Sequence, residues 1–182
     1  MAPAREVGQP VAVGFALDLL ATLAYREGRE APAAALAKQA LCLPRRRQPQ
    51  ELIGSALRTI GLAALRRGDD ERAAAVHLQR LTLYRRLGIW GSVAACLEDL
   101  ADVAAARDQP VQAVRLFAAA DAMRNTATPV VGPECDHHLR RLADFRAVLD
   151  EQDFAAAWTA GQALTLDSAL NEAKAVGAPR TM

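Results

Sequence analysis

Three groups of residues in this chain have side chains that could do chemistry at suggestive spacings. Cys135-Asp136-His137-His138 gathers metal-binding types within one helical turn. On a helix, Cys135 and His138 stand three apart and share a face, with His137 to the side. A closed zinc site needs four ligands, and no second Cys/His pair lies nearby, so the expectation is a polar first helical turn and no metal. A nucleophilic pair from Cys96 and His77 is the second candidate. Cys96 falls in a column otherwise filled by Ala16 and Ala56, which predicts a packed core thiol instead. No Ser-His-Asp set and no paired carboxylates stand in a recognisable context, so no catalytic residue and no cofactor is expected. Third, Arg45-Arg46-Arg47, Arg85-Arg86 and Arg140-Arg141 could touch phosphate. They lack interleaved aromatics, which predicts solvated helix ends and loops.

The elements that must position these residues are helical. The chain has 182 residues, is 52% hydrophobic and 24% charged, and contains only 4% aromatics. That composition is globular, and its abundant alanine favours closely approaching helices. A net charge of +1 gives no global field to recruit nucleic acid or an anionic membrane. Cys42, Cys96 and Cys135 are odd in number and widely spaced, which fits a reducing compartment better than a disulfide framework. The opening MAPAREVGQP has no apolar signal core, and VAVGFALDLLATLAY, interrupted by Asp18, is too short to span a bilayer. A cytoplasmic protein is expected.

Self-comparison reveals a repeat. Segments starting at Ala16, Ala56 and Cys96 align without gaps at a constant spacing of 40 residues. Leu17, Leu57 and Leu97 coincide, as do Leu20, Ile60 and Leu100. Ala24, Ala64 and Ala104 form a third column, and Ala33, Ala73 and Ala113 a fourth. A polar break falls at Gly28, Gly68 and Asp108, where a left-handed residue would end one helix before the next begins. Pro32 and Pro110 suit the first turn of that next helix. Each unit therefore reads as two antiparallel helices, with Ala33, Ala73 and Ala113 where the pair crosses most closely. No period-two pattern competes.

The matched columns resemble the tetratricopeptide repeat. Leu20-Ala21, Ile60-Gly61 and Leu100-Ala101 supply its large-then-small step, and Ala33, Ala73 and Ala113 its alanine in the second helix. The chain departs from the family in its aromatic columns, since Ala24, Ala64 and Ala104 stand where tyrosine is usual. Of Ala37, His77 and Phe117 only the last fits. What the resemblance implies is an all-α superhelix of stacked helix pairs.

Beyond the repeats, residues 134–150 predict an amphipathic helix with Leu139, Leu142, Phe145 and Leu149 on one face. The next stretch, EQDFAAAWTAGQAL, predicts a second helix ending at Gly161 to Leu164, and Thr165 reads as the N-cap of a third. Phe154 and Trp158 would cover the last repeat. The expected organisation is a flexible N-terminus at 1–10, three helix-pair repeats at 11–125, C-terminal capping helices at 133–176 and a flexible tail at 177–182.

Two phrases resemble the C-terminal helical-repeat region of bacterial LuxR-type and other ATPase-containing transcription regulators. These are LYRRLGIWGSVAACLEDLADVAAARDQPVQAVRLFAAADAMR and the closing FAAAWTAG followed by LTLDSA; the likeness covers roughly residues 55 to 175. It implies a non-catalytic binding or sensor domain that docks a protein partner or a small inducer. No G-x-x-x-x-G-K-[ST] phosphate loop is present, and no nucleic-acid or membrane contact by this segment is expected. In the tetratricopeptide register, the groove columns are Asp18, Arg58 and Glu98; Thr22, Leu62 and Asp102; and Tyr25 with Leu65 and Ala105, flanked by Arg26 and Arg66. Their mixed charge suits a peptide bearing both signs better than a polyanion. Two other readings share these helices: a small-molecule-binding or enzymatic domain, and a self-associating scaffold or homodimer joined through the uncapped first repeat.

Overall fold

The computed structural model describes residues 4–43, 48–125 and 133–178, with side chains at 10–43, 48–124 and 138–178. Within them the chain is helical and no strand occurs. Arg45, Arg46 and Arg47 lie outside the described residues, as do the side chains of Cys135, Asp136 and His137. No described helix is long and apolar enough to cross a membrane.

Two compact units divide between Arg80 and Leu81. The first holds α1 (Ala4–Arg26), α2 (Glu30–Cys42), α3 (Gln50–Arg66) and the first part of α4 (Asp70–Leu87). α1 starts at Ala4, upstream of residue 11, where the sequence predicts the first repeat to begin. It packs on α2 and α3, and α2 on α3. The core is aliphatic and mostly small: Ala21, Ala37, Ala40, Leu52, Ala56 and Ile60, flanked by Leu17, Leu36, Leu41 and Val76. Alanine seams bring helix axes close, which maximises dispersion contact but buries little area per residue. One larger ring enters this unit. His77 is fully buried, and Gly61 makes room for it: a Cβ at residue 61 would lie 2.6 Å from the imidazole Cε1.

The second unit holds the rest of α4, α5 (Trp90–Ala106), α6 (Pro110–Asn125), α7 (Pro133–Val148), α8 (Glu151–Gln162) and α9 (Leu166–Val176). α6 contacts α5, α7, α8 and α9. That enclosure explains its sequence, because Leu116, Phe117, Ala118, Ala119 and Ala120 are all buried. A helix apolar all round must be covered all round. Phe117 stacks on His138 (4.6 Å between centroids), meets Phe145 edge-on (5.3 Å) and lies 6.4 Å from Trp158. Phe154 stacks on Trp158 at 5.8 Å, so the one aromatic-rich phrase of the chain covers α6. α8 approaches α6 at Gly161, where a Cβ would strike the Arg115 carbonyl oxygen and lie 2.7 Å from the Ala118 Cβ. α8 ends at Gln162, within the 161–164 stretch where the sequence predicts its end, and Gly161 in its last turn sets its distance from α6.

The breaks share one conformation. Gly28 (φ 73°), Gly68 (φ 75°) and Asp108 (φ 60°) are all left-handed. At each, the residue after the break donates to the carbonyl of the column alanine: Arg29 to Ala24, Asp69 to Ala64, Gln109 to Ala104. Ala33, Ala73 and Ala113 are fully buried. Asp150 caps α8 by accepting from the Asp153 amide (2.8 Å), and Thr165 caps α9 by accepting from the Ser168 amide (3.2 Å).

Candidate functional site

In the first unit, the groove positions fall on α1 and α3. Arg58 and Arg66 are exposed, Leu62 and Thr22 half-buried, and Arg26 exposed. Arg66 reaches back to α1: its guanidinium lies 3.8 Å over the Tyr25 ring and donates to the Tyr25 carbonyl at 2.7 Å. It also lies 3.7 Å from Glu30 of α2. A guanidinium over an aromatic face is attracted by the ring quadrupole, so this pair forms an amphipathic spot on the surface. Asp18 is different. It is buried, its Oδ1 accepts no hydrogen bond, and burial pushes its carboxyl above the usual carboxylate range against a Ser55 hydrogen bond that lowers it. It is therefore an internal acid and not a surface contact.

In the second unit, Glu98 and Asp102 of α5 are held by other side chains. Arg124 of α6 pairs with Glu98 at 2.6 Å, and Arg141 of α7 pairs with Asp102. His138 of α7 lies 3.6 Å from Glu98 through Nδ1 and 3.3 Å from Asp121 of α6 through Nε2. Burial lowers the His138 pKa below its ordinary 6.5; Asp121 opposes this and Arg124 adds to it. The network anchors α7 to α5 and α6. Its chemical capacity is that of an ion-pair clamp with a stacked imidazole at its centre.

Of the apolar face that the sequence predicts for α7, Phe145 is buried and Leu142 and Leu149 are half-buried, but Leu139 is exposed, and half-buried His138 and Arg141 turn inward beside it. The signal that could have found them is charge complementarity: α5 and α6 present Glu98, Asp102 and Asp121, and α7 offers a His and an Arg three apart. Of the basic pairs, Arg85 binds Asp167 (3.0 Å) and Arg141 also reaches Asp144 (3.2 Å). Cys96 and His77 are each fully buried in their own units. Among the described residues, no group of three or more His, Cys, Asp or Glu is placed to hold a metal ion. One open cleft of about 410 Å³, lined by Gln109, Pro110, Val111, Gln112, Arg115 and Glu172, lies where α6 meets α9. Its two charges are already paired with each other, Arg115 to Glu172.

No family model, no curated protein and no solved structure matches this chain. The class that the fold defines is all-α.

Proposed function

We propose that this chain is a non-catalytic binding or sensor domain, a tetratricopeptide-like array of helix pairs closed by its C-terminal helices. On this reading it serves a bacterial transcription regulator and docks a protein segment or a small inducer along the first helices of its pairs. The observation that supports it best is the surface of α1 and α3. There the stacked Tyr25–Arg66 pair stands on the same two helices as exposed Arg58 and half-buried Thr22 and Leu62. An aromatic anchor, an adjacent apolar residue and exposed cationic groups suit an extended peptide that brings both an acidic and an apolar side chain. Glu98 and Asp102 are engaged by α6 and α7, so the docking strip is confined to α1 and α3.

Peptides selected from a random displayed library against the full chain provide the test. Binding of the selected peptides is expected to fall about tenfold in Arg58→Glu, at unchanged helicity by circular dichroism. Equal binding by both proteins counts against the strip.

A further inference from the structure

The 40-residue repeat allows the same helix face to be compared in different settings. On α3, Ala56, Thr59, Ile60 and Ala63 form one stripe, and every one is buried. Ala56 and Ile60 sit in a cluster with Ala37 and Ala40 of α2, flanked by Leu36 and Leu41, so α2 covers those two positions of the stripe. On α5 the corresponding residues, Val93, Cys96, Asp99, Leu100 and Val103, are also buried. On α1 the stripe is Val13, Ala16, Leu19, Leu20 and Leu23. Here Leu20 is 52% exposed, against 5% for Ile60 and 0% for Leu100. Leu19 is 62% and Leu23 43% exposed, where Thr59 and Ala63 are 5% and 1%. The inner side of α1 is used normally, since Leu17 and Ala21 belong to the core cluster. Only the outer stripe is open, and it is more apolar than its buried counterparts. Contiguous exposed leucines on one helix mark an interaction surface.

The α2–α3 pair specifies what fits there. α2 offers small residues, Ala37 and Ala40, to that stripe, and its first-turn Glu30 pairs with Arg66 at the last turn of α3. The repeat equivalent of Arg66 is Arg26, which stands exposed at the last turn of α1. We infer that the outer face of α1 binds an antiparallel amphipathic α-helix of another protein. That helix carries an acidic residue in its first turn, opposite Arg26, followed by small residues seven and ten positions on. Leu19 and Leu23 are larger than Thr59 and Ala63, so the partner seam must be at least as small as that of α2. A second copy of this chain fits worse. It would set Leu19, Leu20 and Leu23 against themselves, with Ala16 the one small residue of the stripe to receive them.

α2 itself supplies the probe. A labelled peptide of residues 29–43, with serine for Cys42 and a staple across the positions of Ala31 and Ala35, presents this seam in helical form. Titrated with the full chain, it should bind saturably. Leu20→Glu should weaken binding at least tenfold. Arg26→Glu should weaken it about threefold, and a peptide with Glu30→Arg should restore it. Circular dichroism should show the variants folded, because both side chains are exposed. Absence of saturation, or equal binding by Leu20→Glu, overturns the proposal. So does a dimer in sedimentation that Leu20→Glu abolishes, since the occupant would then be a second copy.

Discussion

The two units bury their interiors by different means. The N-terminal unit packs alanine against leucine and isoleucine, with His77 lodged in the space left by Gly61. The C-terminal unit packs Phe145 and Trp158, with Phe154 behind it, around Phe117 of α6, and pins α7 through Glu98, Asp102, Asp121, Arg124, His138 and Arg141. Alanine packing needs a neighbouring helix on each side, because each small side chain covers little beyond its own seam. Aromatic rings and long ion pairs cover more surface per residue, so a bundle built from them closes on fewer elements. This is why the first unit leaves the outer stripe of α1 bare while the second encloses its central helix.

The sharpest way to break the comparison is to fill the two close approaches. Gly161→Ala forces a methyl into the Arg115 backbone, which cannot rotate away, and should cost about 3 kcal/mol in urea unfolding. Gly61→Ala meets only the His77 ring, a side chain with some freedom, and should cost about 1–2 kcal/mol. In a double-mutant cycle, His77→Ala should relieve most of the second penalty. Equal costs at the two sites would show that backbone contact is not what distinguishes them.

Acidity offers a second contrast. Burial raises the Asp18 pKa, so the folded first unit prefers the neutral acid. That preference is fully present below the ordinary value of 3.8 and becomes a penalty as pH rises through the raised one. Asp18→Asn should therefore stabilise the protein by about 1 kcal/mol at pH 7, and the gain should vanish near pH 3. In the second unit the His138 pKa is lowered, so the folded state prefers neutral imidazole. Its contribution is present above 6.5 and is lost as pH falls through that value toward the lowered one. Thermal melts of His138→Gln should fall less than wild type between pH 7.5 and 5.5; parallel curves would refute this assignment.

The smallest expected effect concerns the breaks. Asp108 holds a left-handed φ of 60° where the two earlier breaks use glycine. Asp108→Gly should stabilise by about 0.5 kcal/mol, the relief of side-chain strain outweighing the added freedom of the unfolded chain. Gly68→Ala should destabilise by about 1 kcal/mol. Chemical denaturation at constant pH measures both, and a loss in Asp108→Gly would mean that its carboxylate contributes more than the strain removes.

Much of the helical pattern was legible because it rests on local necessity. Ala33, Ala73 and Ala113 must be small where two helices cross, and Gly28, Gly68 and Asp108 must reverse the chain within a few residues. What was illegible depends on partners distant in sequence. Leu20 shares its column with Ile60 and Leu100, yet a column states which side chain is able to be buried and not whether a neighbour is there to bury it. Arg141 and His138 displaced Leu139 from the inner face of α7 because their carboxylates lie on α5 and α6, some 39 residues away in the case of Asp102. Asp18 looked like a groove residue by register, and the Ser55 contact and the body of the unit enclosed it.

The enclosure of α6 also imposes an order on biosynthesis. Leu116 to Ala120 leave the ribosome well before α8 and α9, whose last residue is Val176. Until those two helices emerge, a nascent chain must carry a greasy, uncovered rod, and a ribosome stalled between the two points leaves a product suited to chaperone capture or degradation.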